Sequence, residues 1–354
     1  MTRRLVIMAG GTGGHVFPAL AVAEEMRQRG WQVSWLGTTK GLENRVVPAH
    51  GFDIDWLSVS GIRGKGLLSK AAALFNLLKA CLQARKILKT RRPNIVLGMG
   101  GFVAGPGGLM AKWLGIPLVI HEQNRVPGTT NRWLMKLAAS KVLEAFPASF
   151  PPAANAICTG NPLRMDFTSN IDRDLWTPTI GRNLRVLVLG GSQGAKVLND
   201  TAPETLAAFQ NVDIQHQTGA AMQAEVAQRY QDLGIQADVF AFIEDIATAY
   251  RWADLIICRA GAMTVSEVAA CALPAIFIPL LHAIDDHQTA NANYLANAGA
   301  ATVLPQPELN PENLRKALLH TMTALPDMSR AAQAMAKLNA THCVADICTE
   351  EAAA

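Results

Sequence analysis

A rhythm runs through this chain: short apolar runs that end on glycine or a polar residue, each followed by a stretch with helical periodicity. RLVIMAGG opens it at Arg4, an amphipathic stretch from Pro18 to Arg29 follows, and WQVSWLG, NIVLGMGG, IPLVIHEQ and SKVLEAF continue it. Runs apolar on both faces and separated by helices predict a parallel sheet, because each parallel strand needs a crossover helix that then covers the sheet. After a polar, proline-containing stretch over 159–183 the series restarts with LRVLVLGGSQG, VDIQHQTG, ADVFAF, ADLIICRAG, PAIFIPL and AATVL. The expected fold is therefore α/β, two doubly wound parallel-sheet domains facing across a cleft, at 1–163 and 164–339. The closing stretch THCVADICTEEAAA, about 340–354, is expected to form a helix that returns to the first domain.

With 354 residues, half of them apolar and 17% charged, the chain can bury two cores and is not disordered. The charge-free run between Arg92 and Lys112 holds two prolines and six glycines, which suits strand and loop rather than a membrane-spanning helix. The opening MTRRLVIMAGG has too short an apolar run for a secretory leader, so cytoplasmic residence is the expectation. Six cysteines, at 81, 158, 258, 271, 343 and 348, form no CxxC pair and read as free thiols with no zinc site. The net charge of +4 conceals an asymmetry. Through Asn155 there are 20 Lys+Arg against 7 Asp+Glu, or +13, and the remainder carries −9. A basic half suits nucleic acid, an anionic membrane surface or a phosphate-bearing substrate, and the absence of an aromatic-interleaved basic stripe ranks nucleic acid last.

Three glycine clusters sit where strands end. Gly10-Gly11-Thr12-Gly13-Gly14 runs into His15, Gly98-Met99-Gly100-Gly101 ends another strand of the first half, and Gly190-Gly191-Ser192-Gln193-Gly194 repeats the device in the second. Backbone amides and a helix dipole at such turns can cradle an anion, and the Ser192 hydroxyl adds a donor for a phosphate. A nicotinamide fingerprint is disfavoured, because Val16 replaces the third small residue and the second strand ends in Gly37-Thr38-Thr39 with no acid. His15, at the mouth of the first loop, is the candidate base, since an imidazole accepts a proton near neutrality when a neighbour fixes its tautomer. His121-Glu122-Gln123-Asn124 is the candidate neighbouring shell and lacks the spacing of a metal motif. Glu267, early in a helix, pairs with the helix dipole or accepts the two hydroxyls of a ribose. Asp285-Asp286-His287-Gln288 reads as a helix cap with sugar-hydroxyl contacts or as a metal pair, the cap being favoured.

Residues 62–92 carry nine Lys+Arg and no acid. On a helix, Leu68, Phe75 and Leu82 share a stripe beside Lys79 and Lys86, while Leu74, Leu77, Cys81 and Leu88 share another arc. One arc faces the sheet. The spare one is either a second core contact or a surface that lies in a bilayer interface.

GGTGGHVFPALAVAEEM, GMGGFVAGPGG, HEQN, GNPLR, GGSQGAKVLN, TVSE and DDHQTANA, in this order, resemble the MurG family of peptidoglycan glycosyltransferases over nearly the whole chain. The resemblance implies a GT-B fold of two Rossmann-like domains and an inverting transfer of N-acetylglucosamine from its UDP donor to the 4-hydroxyl of undecaprenyl-diphosphate-linked N-acetylmuramyl-pentapeptide, lipid I becoming lipid II. It implies peripheral attachment at the cytoplasmic face of the inner membrane, with other cell-wall synthesis proteins as partners, no required cofactor and no metal. By matching motif, His15 is the base, Thr12, Gly13 and Gly14 line the donor sugar, and Asn124 contacts it. Arg164 and Ser192 hold the donor diphosphate, and Ile243 meets the uracil through its backbone. Ala262, Met263, Thr264, Val265, Ser266 and Glu267 close on the nucleotide with Glu267 on the ribose, and Gln288 reads sugar hydroxyls. Gly11, Gly14, Gly100 and Gly101 receive the acceptor diphosphate, and Leu68, Phe75, Lys79, Leu82 and Lys86 contact the membrane.

Against the family pattern, Phe102 replaces a frequent tyrosine, Leu280-Leu281 replaces more polar or aromatic residues, and Ala272 replaces a common glycine. If position 272 has positive φ, alanine there is strained by about 1 kcal/mol or more. The competing readings are another GT-B enzyme, a glycolipid glycosyltransferase or a UDP-N-acetylglucosamine 2-epimerase, and a catalytically silent nucleotide-sugar-binding protein.

Overall fold

In a computed structural model of the chain, the structure describes residues 2–59, 67–168, 176–177, 181–191, 194–281 and 284–353, with backbone alone at 67–74 and 284. The chain divides into two compact units, Met1–Met165 with Leu338–Ala354, and Asp166–Lys337.

The first unit runs β1 (Arg4–Ala9), α1 (Gly13–Gln28), β2 (Gln32–Gly37), α2 (Glu43–Ala49), β3 (Asp53–Trp56), α3 (Leu67–Arg91), β4 (Ile95–Gly100), α4 (Ala104–Trp113), β5 (Leu118–Glu122), α5 (Thr129–Leu137), β6 (Lys141–Glu144) and β7 (Ile157–Cys158). Its seven strands are all parallel in the order β3-β2-β1-β4-β5-β6-β7. Strand β1 shows why its apolar run is continuous. Leu5, Ile7 and Ala9 pack with Val16, Leu20 and Ala23 of α1, while Val6 and Met8 face Leu36, Ala84, Leu88 and Ala111 on the other side. Two strands lie outside the sequence expectation. β3 is the half-exposed edge segment DIDW, and β7 is two exposed residues, so neither carries a two-faced apolar run.

The second unit runs β8 (Leu184–Leu189), α6 (Lys196–Leu206), β9 (Val212–Gln217), α7 (Gln223–Asp232), β10 (Asp238–Phe240), α8 (Ile246–Trp252), β11 (Leu255–Cys258), α9 (Ala262–Ala270), β12 (Ala275–Phe277), α10 (His287–Ala296), β13 (Ala301–Val303) and α11 (Pro311–Met335). Its six parallel strands, ordered β10-β9-β8-β11-β12-β13, are the six apolar runs of the sequence. The chain then returns to the first unit as α12 (Ala340–Glu351). There Val344, Ala345 and Cys348 join the core beside α1, Arg29 pairs with Asp346 at 2.6 Å, and Thr341 donates to the Leu163 carbonyl at 3.1 Å. All six cysteines are free thiols. No described helix is long and apolar enough to cross a membrane.

Candidate functional site

In an open parallel sheet, ligands gather beyond the carboxyl ends of the strands where the strand order reverses. That point lies between β1 and β4 in the first unit and between β8 and β11 in the second. In the first unit β1 gives way to Gly10, Gly11 and Thr12, and α1 begins at once, so Gly13, Gly14 and His15 are its first residues. Thr12 is the extended N-cap, and its carbonyl accepts the His15 and Val16 amides at 3.1 and 3.2 Å. Pro18 is therefore the sixth helical residue and does not start the helix, as its position in the sequence suggests; its ring forfeits only the bond an amide there would make to the Gly14 carbonyl. The opening amides of α1 point out along the axis with the positive dipole end, which is what an anion needs.

The second glycine cluster closes on the first. Gly100 and Gly101 take φ of +106° and +83°. A Cβ on Gly100 would lie 2.7 Å from His15 Nδ1, and one on Gly101 would strike the Gly10 carbonyl. Only glycine lets the imidazole rest against the end of β4. The fully buried Glu43 braces the same loop, because its carboxylate accepts the Gly11 amide at 2.8 Å and the Thr38 amide and hydroxyl at 2.9 and 2.8 Å. The Gly11 amide is thus already engaged by a carboxylate and is not available to an anion.

His15 Nδ1 lies 2.8 Å from Gln123 Oε1, and among the described residues its Nε2 meets no partner. Gln123 Nε2 lies 3.0 Å from His121 Nδ1 and donates to the His121 carbonyl at 3.0 Å. His121 Nε2 is 2.9 Å from the Gly160 carbonyl. Both His121 and Gln123 are buried, and burial lowers the His121 imidazole to about 4. Beside them Glu122 accepts the Asn124 amide at 3.0 Å, the Gly128 amide at 3.0 Å and Asn131 Nδ2 at 2.9 Å, so the loop holding Asn124 is shaped by a second buried carboxylate. Arg164 belongs to this unit, its guanidinium 5.8 Å from the centre of the Phe17 ring.

In the second unit Gly194, a few residues beyond β8, packs against the end of β9, where a Cβ on it would strike the Thr218 carbonyl. Ser192 lies outside the described residues. Gln217 ties the turn to the next loop, donating to the Gly191 carbonyl at 3.0 Å and accepting the Ile243 amide at 2.9 Å. A base reading Ile243 through its N–H therefore competes with Gln217. Helix α9 starts at Ala262 with Gly261 as an extended N-cap, so the Ala262, Met263 and Thr264 amides form its first turn, and Val265 donates to the Gly261 carbonyl at 2.9 Å. Ser266 returns its hydroxyl to the Ala262 carbonyl at 3.0 Å. Glu267 is the sixth residue of α9, past the first turn where a dipole acts, which corrects the dipole alternative. Its carboxylate accepts the Tyr250 hydroxyl at 3.3 Å, and burial, with that charge nearby, keeps the phenol protonated as the donor.

Asp286 occupies the N-cap of α10 but in left-handed backbone, φ 48°, without a side-chain bond to a helix amide; its carboxylate accepts the Thr289 hydroxyl at 2.7 Å. The cap expected from the sequence is present in position and absent in chemistry. Gln288 accepts the Leu280 amide at 3.0 Å. No group of metal-ligating side chains is found among the described residues.

Along α3, Phe75, Leu78 and Leu82 are 69%, 56% and 66% exposed, with Lys79 and Lys86 exposed beside them, while Ala80, Ala84 and Leu88 are buried. The side chain of Leu68 lies outside the described residues. Trp113, 60% exposed, lies under the Arg85 guanidinium at 4.4 Å. Arg4, Arg85, Lys86, Lys89 and Arg92 line an open basin of about 580 Å³ that Leu82 also borders. Sequence reasoning missed Glu43 and Gln217 as site builders and placed Gln123 in the shell of His15 without singling it out, since an uncharged or lone acidic side chain paired with a distant group leaves no spacing signature.

Two family models match the chain: the glycosyltransferase family 28 N-terminal domain over residues 5–142 and its C-terminal domain over 185–349. The UDP-N-acetylglucosamine–N-acetylmuramyl-(pentapeptide) pyrophosphoryl-undecaprenol N-acetylglucosamine transferase of Methylococcus capsulatus is 60% identical, with 100% of each chain covered. The transferase of the same name from Pseudomonas savastanoi pv. phaseolicola is 49% identical, with 99% of each covered. The crystal structure of MurG from Acinetobacter baumannii superposes with a TM-score of 0.84 at 42% identity, covering 98% of this chain and 99% of that one.

Proposed function

The chain belongs to glycosyltransferase family 28, and from that premise we propose that it moves N-acetylglucosamine from UDP-N-acetylglucosamine to the 4-hydroxyl of N-acetylmuramyl-pentapeptide on undecaprenyl diphosphate, with inversion. The observation that carries the reading is the imidazole at the switch point of the first unit, tied at Nδ1 and open at Nε2. The acceptor hydroxyl attacks the anomeric carbon as its proton passes to His15 Nε2; the C1–O4 bond forms, the bond from C1 to the phosphate oxygen breaks, and the electron pair leaves on UDP. A base placed this way contributes about 100-fold or more.

The departing diphosphate gains negative charge as that bond breaks, and oriented amides meet it without reorganising. The first turn of α9 supplies them, with Ser192 and Arg164 as further donors. Glu267, held by Tyr250, takes the ribose diol, Ile243 meets the uracil through its backbone, and Gln288 and Asn124 read sugar hydroxyls. Thr12, Gly13 and Gly14 line the sugar, while Gly14, Gly100 and Gly101 accommodate the acceptor diphosphate. This reading assigns no step to a metal or cofactor. The Phe75, Leu78, Leu82 and Trp113 face with its lysines would rest on an anionic membrane surface at the cytoplasmic face of the inner membrane, where the lipid-linked acceptor lies, because apolar side chains flanked by cations suit a headgroup boundary. Other cell-wall synthesis proteins are proposed partners.

His15→Ala tests the assignment. Binding of UDP-N-acetylglucosamine, followed by calorimetry, is expected to persist while transfer falls about 100-fold or more; near-normal turnover removes His15 from the role.

A further inference from the structure

The bonds around His15 form a line of four groups: the Gly160 carbonyl, His121, Gln123 and His15. A carbonyl only accepts, so His121 must carry its proton on Nε2, the nitrogen 2.9 Å from Gly160. His121 is buried and held neutral, so its Nδ1 is left with a lone pair. That lone pair requires a donor, and the Gln123 amide nitrogen supplies it at 3.0 Å. The same nitrogen donates to the His121 backbone carbonyl at 3.0 Å, so a second acceptor independently fixes which end of the amide is nitrogen. The other end, Oε1, then faces His15 Nδ1 at 2.8 Å and can only accept. Asn161 steadies the backbone of the same residue, donating to the Gln123 carbonyl at 3.1 Å.

We propose that Gln123, oriented by His121 and the Gly160 carbonyl, is a positioning residue that holds neutral His15 in the Nδ1–H tautomer and so keeps Nε2 as the proton acceptor. The catalytic meaning of this inference rests on His15 being the base; the tautomer itself does not. Imidazole in water favours the opposite tautomer, with its proton on Nε2, in which the open nitrogen would be a donor and useless as a base. The relay therefore sets the direction of proton flow from a backbone carbonyl three groups away. Because its last member is a neutral amide, it orients the ring without adding a carboxylate's charge beside the developing imidazolium, unlike a histidine–aspartate pair.

The test is a long-range 1H–15N correlation on full-length protein labelled at the imidazole nitrogens, at a pH where His15 is neutral, with its signals identified by their loss in His15→Ala. Wild type is expected to show a protonated Nδ1 and a bare Nε2. Gln123→Leu is expected to move His15 toward the Nε2–H tautomer and to lower kcat about 10-fold or more with KM for UDP-N-acetylglucosamine unchanged. Gln123→Glu, which retains an acceptor for Nδ1 while giving up the donor to His121, is expected to keep the wild-type tautomer even if Gln123→Leu fails to fold. A wild-type His15 protonated on Nε2, or a tautomer indifferent to Gln123→Leu, overturns the inference. If the tautomer is as stated but His15→Ala turns over normally, the relay stands and the base assignment falls.

Discussion

His121 and His216 are buried imidazoles in separate units, and each is a structural group whose neutrality the fold depends on. His216 accepts the Tyr230 hydroxyl at 3.1 Å on Nδ1 and meets Asn199 Oδ1 at 3.2 Å through Nε2. Burial brings His121 down to about 4 and His216 to about 3, against an ordinary value near 6.5. The unfolded chain therefore takes up protons at these positions below pH 6.5 while the folded chain does not, so stability is intact above that pH and drains away as pH falls toward the folded values. By pH 5 each histidine is expected to have cost about 2 kcal/mol. Urea midpoints measured at pH 7 and pH 5 check this, and equal midpoints would deny that the two imidazoles are buried neutral. The sequence marked HEQN as the shell of His15 but could not single out Gln123, because the bond from His15 spans 108 positions and an amide leaves no charge pattern.

Helix α9 ends in a way that isolates one family departure. Cys271 is its C-cap, Ala272 takes φ 49°, the Ala272 amide bonds the Ala269 carbonyl at 3.0 Å, and the Leu273 amide bonds the Val268 carbonyl at 3.0 Å. This paired closure puts its left-handed residue where glycine normally sits. Alanine there carries a Cβ penalty of about 1–2 kcal/mol, part of which glycine's looser unfolded chain would offset. Ala272→Gly is expected to stabilise the protein by about 0.5–1 kcal/mol, read as a rise in the urea midpoint; an unchanged or lower midpoint would mean that the lost methyl outweighs the relieved backbone. At this scale the sequence was informative wherever an element buries two faces. All six strands of the second unit match runs read from the sequence, edge strands β10 and β13 included, while β3 and β7 escape notice because DIDW alternates acids with apolar residues and β7 is only two exposed residues. The start of α1 was misplaced because Pro18 draws the eye, yet the helix needs the glycines themselves as its first turn.

Across the whole molecule, the charge asymmetry and the α3 face suit the proposed work on a lipid-linked substrate, and no described helix is long and apolar enough to cross a membrane. Five cations of the first half, Arg4, Arg85, Lys86, Lys89 and Arg92, line the α3 basin, beside apolar side chains that the fold leaves uncovered among the described residues. Replacing both Phe75 and Leu82 with Asp is expected to weaken sedimentation with anionic liposomes about 10-fold or more, since two large apolar contacts are lost and two negative charges face the lipid. Transfer to a short-chain, water-soluble acceptor should stay within about 2-fold, because both side chains lie on the exposed face of α3, opposite the core it packs. Equal loss of both activities would return that face to a structural role. The central claim, however, is the reaction, and the most direct measurement follows label from the sugar of UDP-N-acetylglucosamine with and without a short-chain undecaprenyl-diphosphate-type acceptor bearing N-acetylmuramyl-pentapeptide. The account predicts that label enters the lipid only when the acceptor is present, with one UDP released for each sugar moved; label that stays water-soluble, as intact or epimerised nucleotide sugar, would contradict it.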